Sequence, residues 1–268
     1  MRFTKMEGLG NDYVYLDCTK ETPVDLPELS RKISDRHFGI GSDGLICILP
    51  SQIADFKMSM FNADGSQAEM CGNGIRCVGK FVFDKGLTHR TELTIETLAG
   101  VKTLTLSVVD GHVDAVTVDM GSPALLGERE VSCQGKQLQG VAASVGNPHF
   151  VIQMSSVKDF PLQELAPISI PNDTFPEGVN VEIVEILDRS HIKMRVWERG
   201  SGETLACGTG ACATLAVCAS LGLCHREATL SLLGGDLHIR WDEKDNHIYM
   251  TGPARTVFEG EWPETMAI

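Results

Sequence analysis

The sequence contains one short motif twice, and this duplication constrains the fold more than any other feature. The motif begins at Cys71 and again at Cys207, 136 residues later, and each Cys is followed by Gly-x-Gly. An apolar run comes next in both copies, over residues 75–83 and 211–221, and a Gly follows each run. Such a run is typical of a buried helix that ends at Gly. The pattern predicts two similar halves, each built on one buried helix.

Further pairs share the 136-residue offset: Asn11 with Asn147, Asn62 with Glu198, and the strand-like segments 56–60 and 192–196. Independent matches in one register predict two copies of one domain, over residues 1–121 and 122–252. The tail, 253–268, is expected to return to the first copy. Because most predicted strands follow one another with short connections, we expect an α+β fold. In it, each domain is a mainly antiparallel sheet curled around its central helix.

Two local signals sharpen this expectation. Asp25 precedes Pro27 and Glu28, which is the pattern of a capped helix start, and the helix is predicted to run to about His37. Asp110-Gly111 stands between two apolar-alternating segments, which predicts a tight β-hairpin turn.

Composition excludes several classes of partner. The chain has 268 residues, a net charge of −13 and a pI near 5.0, which argues against nucleic acid and acidic membrane surfaces as partners. No apolar run approaches the roughly 18 residues that a membrane helix needs. The N-terminal segment, residues 1–11, lacks the apolar core of a signal peptide. With nine cysteines, an odd number, we expect reduced thiols and a cytoplasmic protein.

The cysteines do not have the spacing of a metal site. Cys71 and Cys77 are separated by five residues and Cys207 and Cys212 by four, without the matching His that zinc sites have. We therefore predict no metal, and interpret Cys77, Cys212, Cys218 and Cys224 as packing residues. The Gly-rich motifs lack the Lys-Ser/Thr of a phosphate-binding loop and the spacing of a dinucleotide-binding fingerprint, which argues against a nucleotide.

The paired Cys motifs suit one kind of chemistry. A Cys at a helix start meets backbone N–H groups and the positive end of the helix dipole, and both favour the thiolate. If the two copies face each other, Cys71 and Cys207 lie on opposite sides of one cleft. Inverting a carbon centre requires a base on one face and an acid on the other, and a thiolate with a thiol can fill both roles. The helix-start N–H groups would stabilise the carbanion through its carboxylate.

Several motifs together resemble the diaminopimelate epimerase family: Gly8-Leu9-Gly10-Asn11-Asp12, Phe61-Asn62-Ala63-Asp64-Gly65-Ser66, Met70-Cys71-Gly72-Asn73-Gly74, Gly146-Asn147-Pro148-His149, Val179-Asn180, Glu198-Arg199-Gly200-Ser201-Gly202-Glu203-Thr204 and Ala206-Cys207-Gly208-Thr209-Gly210. The resemblance covers nearly the whole chain. It implies an isomerase that interconverts LL- and meso-diaminopimelate without pyridoxal phosphate or another cofactor, in lysine and peptidoglycan precursor biosynthesis. It also implies a cytoplasmic homodimer with two pseudo-symmetric domains.

The same resemblance implies roles for individual residues. Cys71 and Cys207 would be the acid/base thiols, assisted by His149 and Glu198. The substrate would be bound by Asn11, Asn62, Gly72, Asn73, Asn147, Asn180, Arg199, Gly208 and Thr209. One position departs from the family, because Gly44 stands where many members carry Gln.

Two other functions remain open from the sequence. One is a related racemase of the same scaffold that acts on proline, hydroxyproline or another amino acid. The other is an amino-acid-binding module without activity, although binding alone needs only the backbone N–H groups and not two cysteines. A buried Arg199 among the Asn residues favours a substrate with polar groups at both ends, such as diaminopimelate.

Overall fold

The computed structural model describes residues 1–263. The first part of the chain forms β1 (Arg2–Gly8), β2 (Asn11–Asp17), α1 (Leu26–Ser34), β3 (Gly44–Leu49), β4 (Phe56–Asn62), β5 (Gln67–Ala68), α2 (Gly72–Asp84), β6 (Glu92–Thr97), β7 (Gly100–Val109) and β8 (His112–Gly121). The remainder forms β9 (Ala124–Cys133), β10 (Lys136–Ser144), β11 (Pro148–Gln153), a 3₁₀ turn (Leu162–Leu165), α3 (Ala166–Ser169), β12 (Asn180–Asp188), β13 (His191–Glu198), β14 (Gly202–Glu203), α4 (Gly208–Ser220), β15 (Glu227–Leu232), β16 (Gly235–Trp241), β17 (Ile248–Pro253) and β18 (Arg255–Glu261).

The chain divides into two compact units. The first unit contains Met1–Val118 and the described chain from Gly252 onward, and the second contains Asp119–Thr251. The first division falls three residues before the predicted boundary after Gly121, and the second falls one residue before the predicted boundary at Pro253. In the first unit β18 pairs with β1, and the Trp262 N–H donates to the Met1 carbonyl at 2.8 Å. Residues 264–268 of the predicted returning tail lie outside the described residues.

In the first unit, mostly antiparallel strands surround the helix α2. Among the strand pairs described within this unit, only β2–β3 and β4–β6 are parallel. Parallel neighbours need a long crossover connection, and α1 and α2 supply the two crossovers. Every residue of α2 from Gly72 to Val82 is buried. The predicted buried helix at the centre of an antiparallel sheet is confirmed in this unit.

The second unit repeats this order of elements. The parallel pairs are now β11–β12 and β13–β15, and α4 connects the second pair as α2 connects β4 to β6. Ten of the thirteen α4 residues are buried, and its side chains are apolar almost all round. A helix of this composition is stable only inside a sheet, so the α+β fold class is confirmed here as well.

The two local signals have different outcomes. Asp25 caps α1 by accepting the Glu28 N–H at 3.0 Å, as predicted. The helix ends at Ser34 rather than near His37, because the Asp35 side chain accepts the N–H groups of His37 and Phe38 and forms a turn instead. Asp110 and Gly111 have φ of 49° and 80°, which is the conformation of the predicted hairpin turn.

Among the helices within residues 1–263, none combines the length and apolar character required to cross a bilayer.

Candidate active site

Both motif cysteines lie at the N-cap positions of the central helices. Cys71 precedes α2 and Cys207 precedes α4, each with extended backbone angles. Their sulfur atoms accept the N–H of Gly74 and of Gly210, each at 3.4 Å. The helices thus begin at Gly72 and Gly208, before the apolar runs that predicted them. First-turn N–H groups have no acceptor within their own helix and can bind an anionic group.

Cys71 lies beside an amide that is oriented by a carboxylate. The Cys71 Sγ–H donates to Asn11 Oδ1 at 3.2 Å, while Asn11 Nδ2 donates to Asp43 Oδ2 at 2.8 Å. Asp43 also accepts from Arg36 Nη2 at 2.9 Å. Because the amide nitrogen faces a carboxylate, the amide oxygen must face the sulfur. This Cys71 site (Cys71, Asn11 and Asp43) therefore offers the thiol a hydrogen-bond acceptor.

Charged groups surround Asp43. Its pKa is raised by burial, and the nearby Asp12 carboxylate adds to the rise, against hydrogen bonds from the Asp12 N–H and from Asn11. For Asp12 the balance is opposite: burial raises the pKa, but hydrogen bonds from Arg36 and Lys5 bring it below the usual value. The pKa is therefore raised for Asp43 and lowered for Asp12, although both carboxylates contact Arg36.

Gly44 cannot carry a side chain in this backbone conformation. A Cβ at this position would overlap the carbonyl oxygen of Phe61 and lie 2.8 Å from the ring of Tyr13. Antiparallel pairing of Gly44 with Asn62, next to Phe61, fixes this close approach. A Gln at position 44 would therefore require the two strands to move apart.

Of two predicted substrate residues of the first unit, one precedes the motif and the other lies within it. Asn62 ends β4, and its Nδ2 donates to Ser66 Oγ at 3.0 Å. Asn73 is buried in the first turn of α2, next to Gly72.

Cys207 lies in a different electrostatic environment. Burial raises the pKa of the Cys207 thiol well above its usual value, and the carboxylates of Glu198 and Glu182 raise it further. The Gly210 N–H and the Thr209 hydroxyl act in the opposite direction, but their effects are smaller. The prediction that the helix start favours a thiolate is therefore wrong for Cys207, because desolvation and two carboxylates outweigh the backbone N–H.

His149 is fully buried and has a partner on each ring nitrogen. Nδ1 lies 2.7 Å from Glu182 Oε1, and Nε2 lies 3.0 Å from Asn147 Oδ1. Glu182 is also fully buried, and burial raises its pKa, against the attraction of His149. Glu182 is not among the site residues predicted from the sequence. The available signal was a carboxylate at the centre of the apolar strand segment 179–186.

Asn180 and Glu198 are held by polar contacts at strand ends. Asn180 Oδ1 accepts the backbone N–H of Arg199 at 2.9 Å, and its Nδ2 donates to the Pro148 carbonyl at 3.2 Å. Glu198 Oε1 accepts the Thr204 hydroxyl at 2.5 Å. The Arg199 side chain is exposed and donates to the Glu177 carbonyl at 2.8 Å. The expectation that Arg199 is buried is therefore wrong.

Each unit thus brings together its own set of site residues, all of them predicted except Glu182. In the first unit Cys71 contacts Asn11, and in the second the Cys207 site contains Cys207, His149, Glu182, Asn147 and Glu198, with Gly208 and Thr209 in the first turn of α4. Nowhere in residues 1–263 do three or more His, Cys, Asp or Glu side chains form a group that could hold a metal ion.

Solved structures with the same fold define the class. A hydroxyproline epimerase from Agrobacterium vitis matches with a TM-score of 0.71 at 15% identity, over 97% of this chain and 90% of that one. A PhzF-family phenazine biosynthesis protein from Bacillus anthracis matches with a TM-score of 0.72 at 17% identity, over 98% and 99%. The fold is therefore that of the proline racemase and PhzF-like proteins, and at such low identity the likeness extends no further.

Sequence comparison narrows the class to one family. The model of the family described as diaminopimelate epimerase matches residues 3–126 and 141–257. The diaminopimelate epimerase of Acetivibrio thermocellus is 54% identical over 97% of this chain and 98% of its own length. That of Desulfovibrio desulfuricans is 50% identical over 98% of both chains. The chain belongs to the diaminopimelate epimerase family.

Proposed function

We propose that this protein interconverts LL- and meso-diaminopimelate by proton exchange at one α-carbon, without a cofactor. The observation that carries the proposal is the pair of thiols, Cys71 and Cys207, at the N-caps of two equivalent helices. Two relatives that are 54% and 50% identical to this chain, over 98% of their own length, are named diaminopimelate epimerase. A module that only binds amino acids would need the helix N–H groups but neither thiol.

In the proposed reaction, a thiolate removes the α-proton from one face of the substrate and becomes a thiol. The carbanion, spread into the carboxylate, accepts hydrogen bonds from first-turn N–H groups of the helices that Cys71 and Cys207 cap. The second thiol then donates its proton to the opposite face and becomes a thiolate. One C–H bond breaks and one forms, so no electron donor or acceptor is consumed. Reaction in the reverse direction exchanges the two roles.

The surroundings of Cys207 support its role as the proton donor, because burial and the carboxylates of Glu198 and Glu182 raise the pKa of its thiol. Cys71 is then the base, and acts after its thiol hydrogen, which Asn11 Oδ1 accepts in this structure, has been lost. We assign substrate binding to Asn62, Asn73, Asn147, Asn180 and Arg199, together with the backbone of Gly72, Gly208 and Thr209. Since Arg199 is exposed, it would meet the distal end of the substrate rather than the reacting carboxylate.

The test is α-proton exchange in deuterium oxide with purified protein and no added cofactor. We expect incorporation of deuterium into LL- and meso-diaminopimelate, and much lower kcat/KM for lysine, glutamate and proline. Lysine lacks the second carboxylate, and a site built to bind a polar group discriminates by roughly 10⁴-fold against an analogue without it. A kcat/KM for proline equal to that for diaminopimelate would assign the chain to the wider racemase class instead.

We also propose that the protein acts in the cytoplasm as a homodimer. The odd number of cysteines, nine, supports a reducing compartment. Size-exclusion chromatography with light scattering would measure the oligomeric state, and a monomeric mass at working concentration would contradict the second part of the proposal.

A further inference from the structure

Glu182 and His149 occupy positions that the first unit fills differently. In the second unit β11 and β12 are parallel, with His149 opposite Asn180. In the first unit β2 and β3 are parallel, with Tyr13 opposite Gly44, 136 residues earlier in both strands. The residue 136 positions before Glu182 is Ile46, which is also fully buried. In the first unit the equivalent position is therefore filled by an apolar side chain, so the fold does not itself require a buried carboxylate there.

Burying the Glu182 carboxylate lowers the stability of the fold unless its oxygen atoms are hydrogen-bonded. Burial in an apolar region disfavours a charged group by several kcal/mol unless it is paired and fully hydrogen-bonded. Glu182 is bonded through Oε1 to His149, but its Oε2 is buried with no hydrogen-bond partner in the described part of the chain. A residue retained only for stability would not leave such an atom unsatisfied.

The hydrogen-bond geometry fixes the proton content of the pair. Both ring nitrogens of His149 face oxygen atoms, of Glu182 at 2.7 Å and of Asn147 at 3.0 Å. The amide oxygen cannot donate, so Nε2 carries a hydrogen, and a second hydrogen lies between Nδ1 and the carboxylate. Carboxylate and imidazole therefore hold a shared proton and are neutral together. If that proton lies on His149, Glu182 is the negative end.

Glu182 also lies against the helix start that carries the thiol. A Cβ on Gly210 would be 2.5 Å from Glu182 Oε1 and 3.3 Å from Cys207 Sγ. The carboxylate and the sulfur therefore approach the same glycine, from β12 and from the N-cap of α4. Glu198, at the end of β13, is a second carboxylate of this unit that acts on the thiol.

From these contacts we propose that Glu182 is a positioning residue of the Cys207 site. It fixes the His149 ring toward Asn147 and holds the negative end of a neutral carboxylate–imidazole pair against the first turn of α4. In this position it keeps Cys207 protonated until the α-carbon needs a proton. The inference deepens the proposed function, because it concerns the same thiol, but its test does not depend on the substrate.

The direct test compares Glu182→Gln with Glu185→Gln. Glu185 lies on the same strand, but its carboxylate accepts the Val157 N–H. The rate of Cys207 alkylation by iodoacetamide is followed over pH by peptide mass spectrometry, with no substrate present. Because Gln removes the negative end of the pair that lies beside Gly210 and Cys207, we expect the Cys207 titration in Glu182→Gln to move to lower pH by about 0.5 to 1 unit. Glu185→Gln should titrate like the wild type.

Kinetics give a second readout. In Glu182→Gln we expect kcat/KM for diaminopimelate to fall at least about tenfold, chiefly through kcat, because His149 loses its fixed orientation. The limb of the pH profile that reports Cys207 should move to lower pH together with the alkylation curve. A purely structural role would lower activity without moving either curve.

A second variant covers the case in which Glu182→Gln fails to fold. The double substitution His149→Tyr and Glu182→Ile introduces the residues that the first unit carries at these positions. It removes the same carboxylate, so Cys207 should again titrate at lower pH. An unchanged Cys207 titration in either folded variant would overturn the inference. Absence of α-proton exchange by the wild type would overturn the proposed function alone, since the alkylation curves need no turnover.

Discussion

The two units place the same motif in different surroundings. In both, a Cys caps the central helix and accepts an N–H at 3.4 Å. Asn11 accepts a hydrogen from Cys71 and is oriented by Asp43, whereas its counterpart Asn147 accepts from His149. Cys71 is partly exposed and Cys207 is buried. Duplication has therefore preserved the backbone that presents each thiol, while the neighbouring side chains that set its proton affinity have diverged.

The central helices differ in the same way. The α2 helix contains Arg76, which is fully buried, at the position where α4 has Cys212. Arg76 donates through Nε to the Pro253 carbonyl at 3.1 Å and through Nη1 to the Gly72 carbonyl at 3.2 Å. It therefore links α2 to the returning C-terminal segment of the first unit. The two central helices have the same backbone arrangement, but α2 is stabilised by the hydrogen bonds of Arg76 and α4 by apolar packing.

The largest expected effect is loss of either thiol. Cys71→Ala and Cys207→Ala should each lower kcat/KM for diaminopimelate by roughly 10³-fold or more, because in the proposed mechanism each face of the α-carbon needs its own proton carrier. Cys218→Ala is the matched control. It lies in the body of α4, where burial, with a contribution from Cys224, raises the pKa of Cys218 to about 12. Near-normal turnover in either motif variant would contradict the two-thiol mechanism.

Second in size is the effect of removing the polar link of α2. Arg76→Met should lower the free energy of unfolding by about 2–4 kcal/mol, because the buried carbonyls of Gly72 and Pro253 lose a donor. Cys212→Ala, at the matched position of α4, should cost only about 1 kcal/mol. Urea denaturation gives the two values, and hydrogen exchange should show lost protection in α2 for Arg76→Met. Equal losses in both variants would refute the contrast between the helices.

The motif glycines should give a smaller difference. A Cβ on Gly210 meets Glu182 Oε1 at 2.5 Å, and this carboxylate is held by His149. A Cβ on Gly74 meets the Ile46 Cδ1 atom at 2.8 Å, an apolar end that can rotate away. We expect Gly210→Ala to lower the unfolding free energy by about 1–3 kcal/mol and Gly74→Ala by less than about 1 kcal/mol. Thermal unfolding of the two variants under the same conditions measures this difference in stability. A larger loss for Gly74→Ala than for Gly210→Ala would contradict the prediction.

The smallest predicted effect concerns the orientation of Asn11. Asp43→Ala removes the acceptor of Asn11 Nδ2, and kcat should fall about tenfold, the value of one hydrogen bond to a charged group. The pH dependence of alkylation by iodoacetamide should change for Cys71 and should stay as in the wild type for Cys207. Asp17→Ala is the control, because Asp17 contacts Thr19 and not Asn11. A change at both thiols would indicate a general loss of structure.

The sequence by itself determined the plan of the molecule. The 136-residue offset predicted a duplicated α+β fold, and the Gly-x-Gly motifs placed Cys71 and Cys207 at helix starts. The Asp110-Gly111 hairpin and the Asp25 cap were predictable for the same reason. These features depend on residues close together in the chain, through local hydrogen bonds, backbone angles and periodic apolar positions, which a sequence pattern records directly.

Only the tertiary structure decided the protonation of the site. Glu182 and His149 are 33 residues apart in sequence, and their contact results from the parallel pairing of β11 with β12. The exposure of Arg199, the fit of Gly44 against Phe61 and the raised pKa of Cys207 likewise depend on neighbours from other strands. Electrostatic free energies depend on burial and on distances through space. The thiol motif is the same in both halves of the sequence, but the proton affinity of each thiol is set by residues that folding brings to it.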